Sequence, residues 1–118
     1  MAVRGIRGAT VVPHDTSEEI LAATTELLET LIAENGIDRR DVASIIFTVT
    51  PDLRSDYPAR AARNLGWDDV ALLGATEMDV PKGLARCIRV LMHVNTNRSQ
   101  NDVKHIYLRE ARGLRPDR

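Results

Sequence analysis

A chain of 118 residues with a net charge of −1 and one cysteine has room for one hydrophobic core, and about two-thirds of its unfolded surface leaves water on folding. The near-neutral balance gives no electrostatic reason for a nucleic-acid or membrane-surface partner. Cys87 alone excludes an internal disulfide framework and fits a reducing compartment. No charged-then-apolar leader is visible and no apolar stretch approaches the ~18 residues that span a bilayer, so the expectation is a cytoplasmic protein forming a single domain over residues 1–118. Only one Phe, one Trp and two Tyr are present, and the core must be aliphatic.

The run Val3 to Val12 predicts a first strand, broken at Pro13. Thr16-Ser17-Glu18-Glu19 has the form of a capping box, in which the Thr16 hydroxyl and the Glu19 carboxylate satisfy each other's backbone donors. The long helix that follows carries Ile20, Ala23, Leu27, Leu28, Leu31 and Ile32 on one apolar face and stops at Asn35-Gly36. Ser44 to Thr50 is β-branched and ends at Pro51, as a strand would. Pro58 to Leu65 predicts a short helix ending before Gly66, and Val70 to Leu73 a short strand. Arg86 to Thr96 and His105 to Glu110 complete the set as a long and a shorter strand around the polar loop Asn97 to Asp102. The order β-α-β-α-β-β-β indicates an α/β or α+β domain, a mixed sheet with helices packed on one face.

Strand alternation sorts the long run into two faces. Ile88, Val90, Met92 and Val94 suit a helix layer, while Cys87, Arg89, Leu91 and His93 make a mixed face that suits a site or another subunit. In the last strand Ile106 and Leu108 oppose His105, Tyr107 and Arg109, so Arg89 and Tyr107 are expected to share the polar face. A sheet covered on one side only predicts oligomerisation. Arg89 lies in one of the most apolar runs of the chain, where a buried guanidinium needs an anion from this protein or from a ligand. Arg7 poses the same question in the first strand. For Arg89 an intramolecular carboxylate, Glu77 or Glu110, answers it as well as a ligand does; for Arg7 the alternative is a surface arginine on an edge strand. His14, His93 and His105 have no ligand-like spacing and Cys87 has no catalytic partner nearby in sequence, so no metal site is expected.

Arg4-Gly5-Ile6-Arg7-Gly8-Ala9-Thr10, Thr50-Pro51-Asp52-Leu53, Glu77-Met78-Asp79-Val80, Cys87-Ile88-Arg89-Val90, His105-Ile106-Tyr107-Leu108 and the closing Leu114-Arg115-Pro116-Asp117 resemble, in collinear order, the monofunctional Bacillus-type chorismate mutases. The resemblance implies a homotrimeric pseudo-α/β-barrel with sites between subunits, and the cofactor-free rearrangement of chorismate to prephenate in phenylalanine and tyrosine biosynthesis. By resemblance, Arg89 donates to the ether oxygen and a carboxylate, Arg7 and Tyr107 hold the side-chain carboxylate, and Glu77 accepts from the ring hydroxyl. Tyr57, Arg60, Arg63, Leu114 and Arg115 match a group that closes and screens the pocket mouth, and Leu72, Leu73 and Gly74 match further substrate-binding positions.

The chain departs from the family pattern in a few places. It is shorter by a single residue between the second helix and the short strand, and has Gly74 where some members carry a Cys; a backbone role survives that change and a side-chain role does not. Tyr57 stands where Phe is frequent and Arg60 where Lys occurs. The rival reading is a non-catalytic trimer of the same fold that binds a small carboxylate.

Overall fold

The computed structural model describes residues 1–114. Its framework is a five-stranded mixed sheet made of β1 (Ala2–Val11), β2 (Val42–Val49), β3 (Ala71–Thr76), β4 (Cys87–Thr96) and β5 (Ile106–Tyr107), in the spatial order β3-β2-β4-β1-β5. β4 pairs antiparallel with both β1 and β2, while the edge strands β3 and β5 run parallel to β2 and β1. Two helices, α1 (Ser17–Asn35) and α2 (Ala59–Asn64), lie between strands in sequence and pack on the sheet. The α+β architecture with one helix-covered face is the expected one. No helix among the described residues is long and apolar enough to cross a membrane.

The covered face is built from alternate strand residues. Ile6 of β1, Ile45 and Phe47 of β2, and Val90, Met92 and Val94 of β4 are buried with Leu27, Leu28 and Leu31 of α1 and with Ala61 and Ala62 of α2. Fully burying each large aliphatic side chain contributes about 1.5–3 kcal/mol, and the helices owe their stability to this contact more than to propensity. Gly8 is required by close approach. A Cβ there would stand 3.1 Å from Leu27, Leu31 and Val90 side-chain carbons, so any larger residue would push α1 off the sheet.

The ends of α1 follow elementary capping chemistry with one departure. Thr16 Oγ1 accepts from the Glu19 N–H at 3.2 Å, and Gly36 adopts the left-handed conformation (φ 58°) that closes the last turn. The Glu19 carboxylate, however, does not return to the Thr16 N–H, which donates to the His14 carbonyl. It accepts instead from the His14 N–H at 2.7 Å and lies 3.1 Å from His14 Nδ1. The box is thus opened by two residues, and His14 acquires a structural partner.

Boundaries move where pairing outruns local pattern. β2 starts at Val42 through an irregularity between Val42 and Ser44. β3 begins after Val70, which is buried in the core, and continues to Thr76 because each of its residues pairs with β2 as far as Val49. The last strand is cut to Ile106–Tyr107: Leu108 still donates to the Ala9 carbonyl, but Arg109 turns into the left-handed region (φ 55°) and begins a 3-10 segment, Arg109–Gly113.

Candidate active site

The uncovered face of the sheet collects the polar strand residues. The register places Thr48 of β2 and Ala9 of β1 on either side of Arg89, and Tyr107 of β5 beyond Ala9. Arg7 lies two residues from Ala9 along β1 and so shares this face. With Ile46, Thr48, Glu77 and Leu91, Arg7 and Arg89 line a hollow of about 270 Å³. The alternation that predicted a common face for Arg89 and Tyr107 therefore holds.

Glu77 arrives from the loop after β3. Its N–H donates to the Val49 carbonyl at 2.8 Å, fixing the loop where β2 ends. Its Oε1 accepts from Thr48 Oγ1 at 2.8 Å and from Arg89 Nη1 at 3.3 Å. Arg89 is therefore not the buried guanidinium its apolar run suggested: its side chain is 38 % exposed and that of Glu77 21 %, and the chain itself supplies it with an anion. Only Nη1 is committed. Nε and Nη2 of Arg89 have no partner among the described residues, so the guanidinium is aimed by Glu77 and still has donors to give.

Tyr107 carries a second unsatisfied group. Its hydroxyl is buried and has no hydrogen-bond partner among the described residues, in a setting made apolar by Ala9, Val11, Cys87 and Ala111. Leaving a buried hydroxyl unpaired costs about 1–3 kcal/mol, so this hydroxyl has a hydrogen bond still to make. The Arg7 guanidinium likewise has no ion-pair partner among the described residues, while its backbone N–H donates to His105 Nδ1 at 3.0 Å.

The start of β4 is held by residues whose role was not foreseen. Thr50 Oγ1 accepts from the Cys87 N–H at 2.9 Å, and Asp52 accepts from the Arg86 N–H at 2.9 Å. Arg86 sits at φ 48° and Lys82 at φ 68°, uncommon conformations for side-chain-bearing residues. Thr50 and Asp52 thereby fix the backbone two and three residues ahead of Arg89. The Thr-Pro-Asp turn was visible in sequence, but the backbone it anchors lies 34 and 37 residues further along the chain, and no local pattern pointed there. Thr48, the partner of Glu77, was discoverable only from strand register.

Cys87 is buried, and burial pushes its thiol up to about 11 despite the nearby Arg89 charge. The thiol is neutral at pH 8, and maleimide or disulfide reagents are expected to label it orders of magnitude more slowly in the folded protein than in denaturant. Because the folded value is the raised one, its contribution to stability is intact below about pH 9 and lost as the pH climbs toward 11.

The residues expected at the pocket mouth lie elsewhere. Tyr57, Arg60, Arg63 and Gly74 line a cleft of about 820 Å³ beside α2 and β3. Arg63 makes no ion pair among the described residues, and Tyr57 is 73 % exposed. Gly74 pairs with Phe47, on the helix side, and a Cβ there would meet nothing within 4 Å. Leu73 projects from the uncovered face at 63 % exposure, whereas Leu72 packs against the helix-side core and has only its backbone to offer. Leu114 belongs to the Arg89 side, lining a 540 Å³ cleft with Glu77 and Cys87. Arg115 lies outside the described residues. No described residue lines both the Arg89 hollow and the Arg63 cleft; β2 and β3 stand between the two groups within one chain.

A sequence profile of the family described as chorismate mutase type I matches residues 3–118. The chain belongs to that family. It is 48 % identical over 118 residues to chorismate mutase AroH of Bacillus subtilis (strain 168), covering 99 % of this chain and 93 % of that protein. It is 53 % identical over 116 residues to chorismate mutase AroH of Thermus thermophilus, covering 98 % and 95 %. A solved chorismate mutase from Clostridium thermocellum superposes with a TM-score of 0.90 at 51 % identity, over 92 % of this chain and 96 % of that one.

Proposed function

We propose that residues 1–118 form one chorismate mutase domain, a cytoplasmic isomerase that rearranges chorismate to prephenate on the route to phenylalanine and tyrosine. The observation that carries the reading is the constellation on the uncovered sheet face, in a chain of the chorismate mutase type I family: Arg89 aimed by Glu77 with donors to spare, beside Arg7 and the unsatisfied Tyr107 hydroxyl.

Chorismate is a dianion, and its rearrangement is an intramolecular pericyclic step that needs no nucleophile, metal, cofactor or proton transfer. What remains for the protein is geometry and charge. Arg7 and Tyr107 hold the side-chain carboxylate, which brings the enolpyruvyl group over the ring in a compact, reactive conformation. Arg89 donates to a carboxylate and to the ether oxygen, where negative charge develops as the carbon–oxygen bond breaks. Only the part of that interaction that strengthens in the transition state raises the rate. Glu77 keeps the guanidinium in place and accepts from the ring hydroxyl. Tyr57, Arg60, Arg63, Leu114 and Arg115 close and screen the mouth, with Leu73 and the backbones of Leu72 and Gly74 as further contacts.

The separation of the two groups by the sheet supports a homotrimer in which the Arg89 face of one copy meets the Arg63 cleft of the next. An exposed Leu73 on the parallel edge strand and a half-covered sheet favour the same arrangement.

The test is loss of the ultraviolet absorbance of chorismate on incubation with catalytic amounts of protein. Turnover with prephenate as the product is expected, with a broad, shallow pH dependence near neutrality because no proton moves in the chemistry. Absence of acceleration over the spontaneous reaction would leave the non-catalytic carboxylate-binding trimer as the better description.

A further inference from the structure

Asp56, in the mouth cleft, has no part in the chemistry above, yet its carboxylate is the most fully engaged acid there. Its side chain is 4 % exposed, against 52 % for Arg60, which it holds. Oδ1 accepts from the Tyr57 N–H at 2.7 Å and Oδ2 from the Ser17 hydroxyl at the start of α1. Arg60 Nη1 donates to both oxygens, at 3.2 and 3.0 Å. The hydrogen bond from Ser17, with help from the Tyr57 N–H and from Arg60, keeps the carboxyl below its ordinary value, so it is ionised at neutral pH.

The two members of this pair are unequal. A carboxylate so enclosed does not release its cation readily, because an uncompensated charge would be left behind. Arg60, in contrast, spends a single nitrogen; its Nε and Nη2 have no partner among the described residues. Exposed i,i+4 ion pairs contribute little to stability on their own. Here the acid is tied to α1 through Ser17, so the direction of Arg60 is set by the domain and not by α2 alone.

Resting on the chorismate mutase reading, we propose that Asp56 is a positioning residue that orders Arg60 at the pocket mouth, so that its remaining donors meet a carboxylate of the incoming dianion. The ordering removes rotamer freedom before the ligand arrives, which lowers the cost of binding. Asp56 itself is an anion facing an anionic substrate, so the sign of its effect is diagnostic. If ordering governs, removing it weakens capture; if repulsion governs, removing it strengthens capture.

Steady-state kinetics with chorismate on the wild type, Asp56→Ala, Arg60→Ala and the double variant form the test. We expect Asp56→Ala to raise KM about threefold or more with kcat changed less than about twofold, and to add nothing further in the Arg60→Ala background. Asp56→Asn, which keeps one acceptor oxygen, is expected to fall between wild type and Asp56→Ala, and it carries the same cycle if the alanine variant fails to fold. A lowered KM for Asp56→Ala, or an equal rise in KM whether or not Arg60 is present, would overturn the proposal. A wild-type protein without turnover would instead overturn the chorismate mutase reading on which it rests.

Discussion

Replacing Arg89 by alanine is expected to lower kcat by at least ~10²-fold, the order seen when a single preorganised donor is removed from a developing charge. The effect falls on kcat because the ether oxygen gains its charge only as the bond breaks; a change confined to KM would mean that Arg89 merely binds the ground state. Arg89→Lys should recover only part of the loss. An ammonium supplies charge without the planar fork that lets one guanidinium bond Glu77 and the substrate together. Stability should move little, because the Arg89–Glu77 pair is partly exposed to water and such pairs contribute at most about 1 kcal/mol. Circular dichroism and urea melts on the variant separate a catalytic defect from unfolding.

The second large effect comes from mixing two defective proteins. An Arg89→Ala variant lacks the uncovered-face half of the site, and an Arg60→Ala/Arg63→Ala variant lacks the mouth half. If each site is assembled from two copies, random mixed trimers at equal ratio contain both intact halves at about one site in four. Mixing after dissociation and reassociation should therefore raise activity far above either parent, toward about a quarter of wild type. Sedimentation should report a trimer. A fully active monomer, or no recovery from reassorted mixtures, would put both halves of the site in one chain.

Much of the sheet was legible because its residues obey two-residue alternation. Ile88, Val90, Met92 and Val94 are all buried beneath the helices, and Arg89, Leu91 and His93 stand half-exposed on the other side. The α1 stop at Asn35-Gly36 was equally plain, since a glycine takes the left-handed conformation without strain. Strand ends were less so: β3 reaches Thr76 only through pairing with β2, and β5 is ended by the backbone of Arg109 rather than by any breaker residue. Capping failed in detail at Glu19, where His14 offered a nearer donor.

The site was legible as a list of residues and not as an arrangement. Arg7, Arg89 and Tyr107 followed from strand parity, and Glu77 was named both as a structural partner of Arg89 and as a ligand group; the 3.3 Å contact makes it the partner and leaves the second role to the proposal. Thr48, which bonds Glu77, Thr50 and Asp52, which bond the backbone at the start of β4, and Asp56, which bonds Arg60, are ordinary polar residues in sequence. Their function depends on contacts with residues such as Cys87, Arg86 and Ser17 that are distant along the chain, and no local spacing encodes those.

The proposed mechanism requires Arg89 to act on the transition state more than on the substrate. The direct measurement is the affinity of a dianionic, bicyclic transition-state analogue for the wild type and for Arg89→Ala and Arg89→Lys, set beside kcat/KM for chorismate in the same proteins. Analogue affinity is predicted to fall in proportion to kcat/KM across the three. An analogue that binds all three equally while kcat/KM collapses would contradict it.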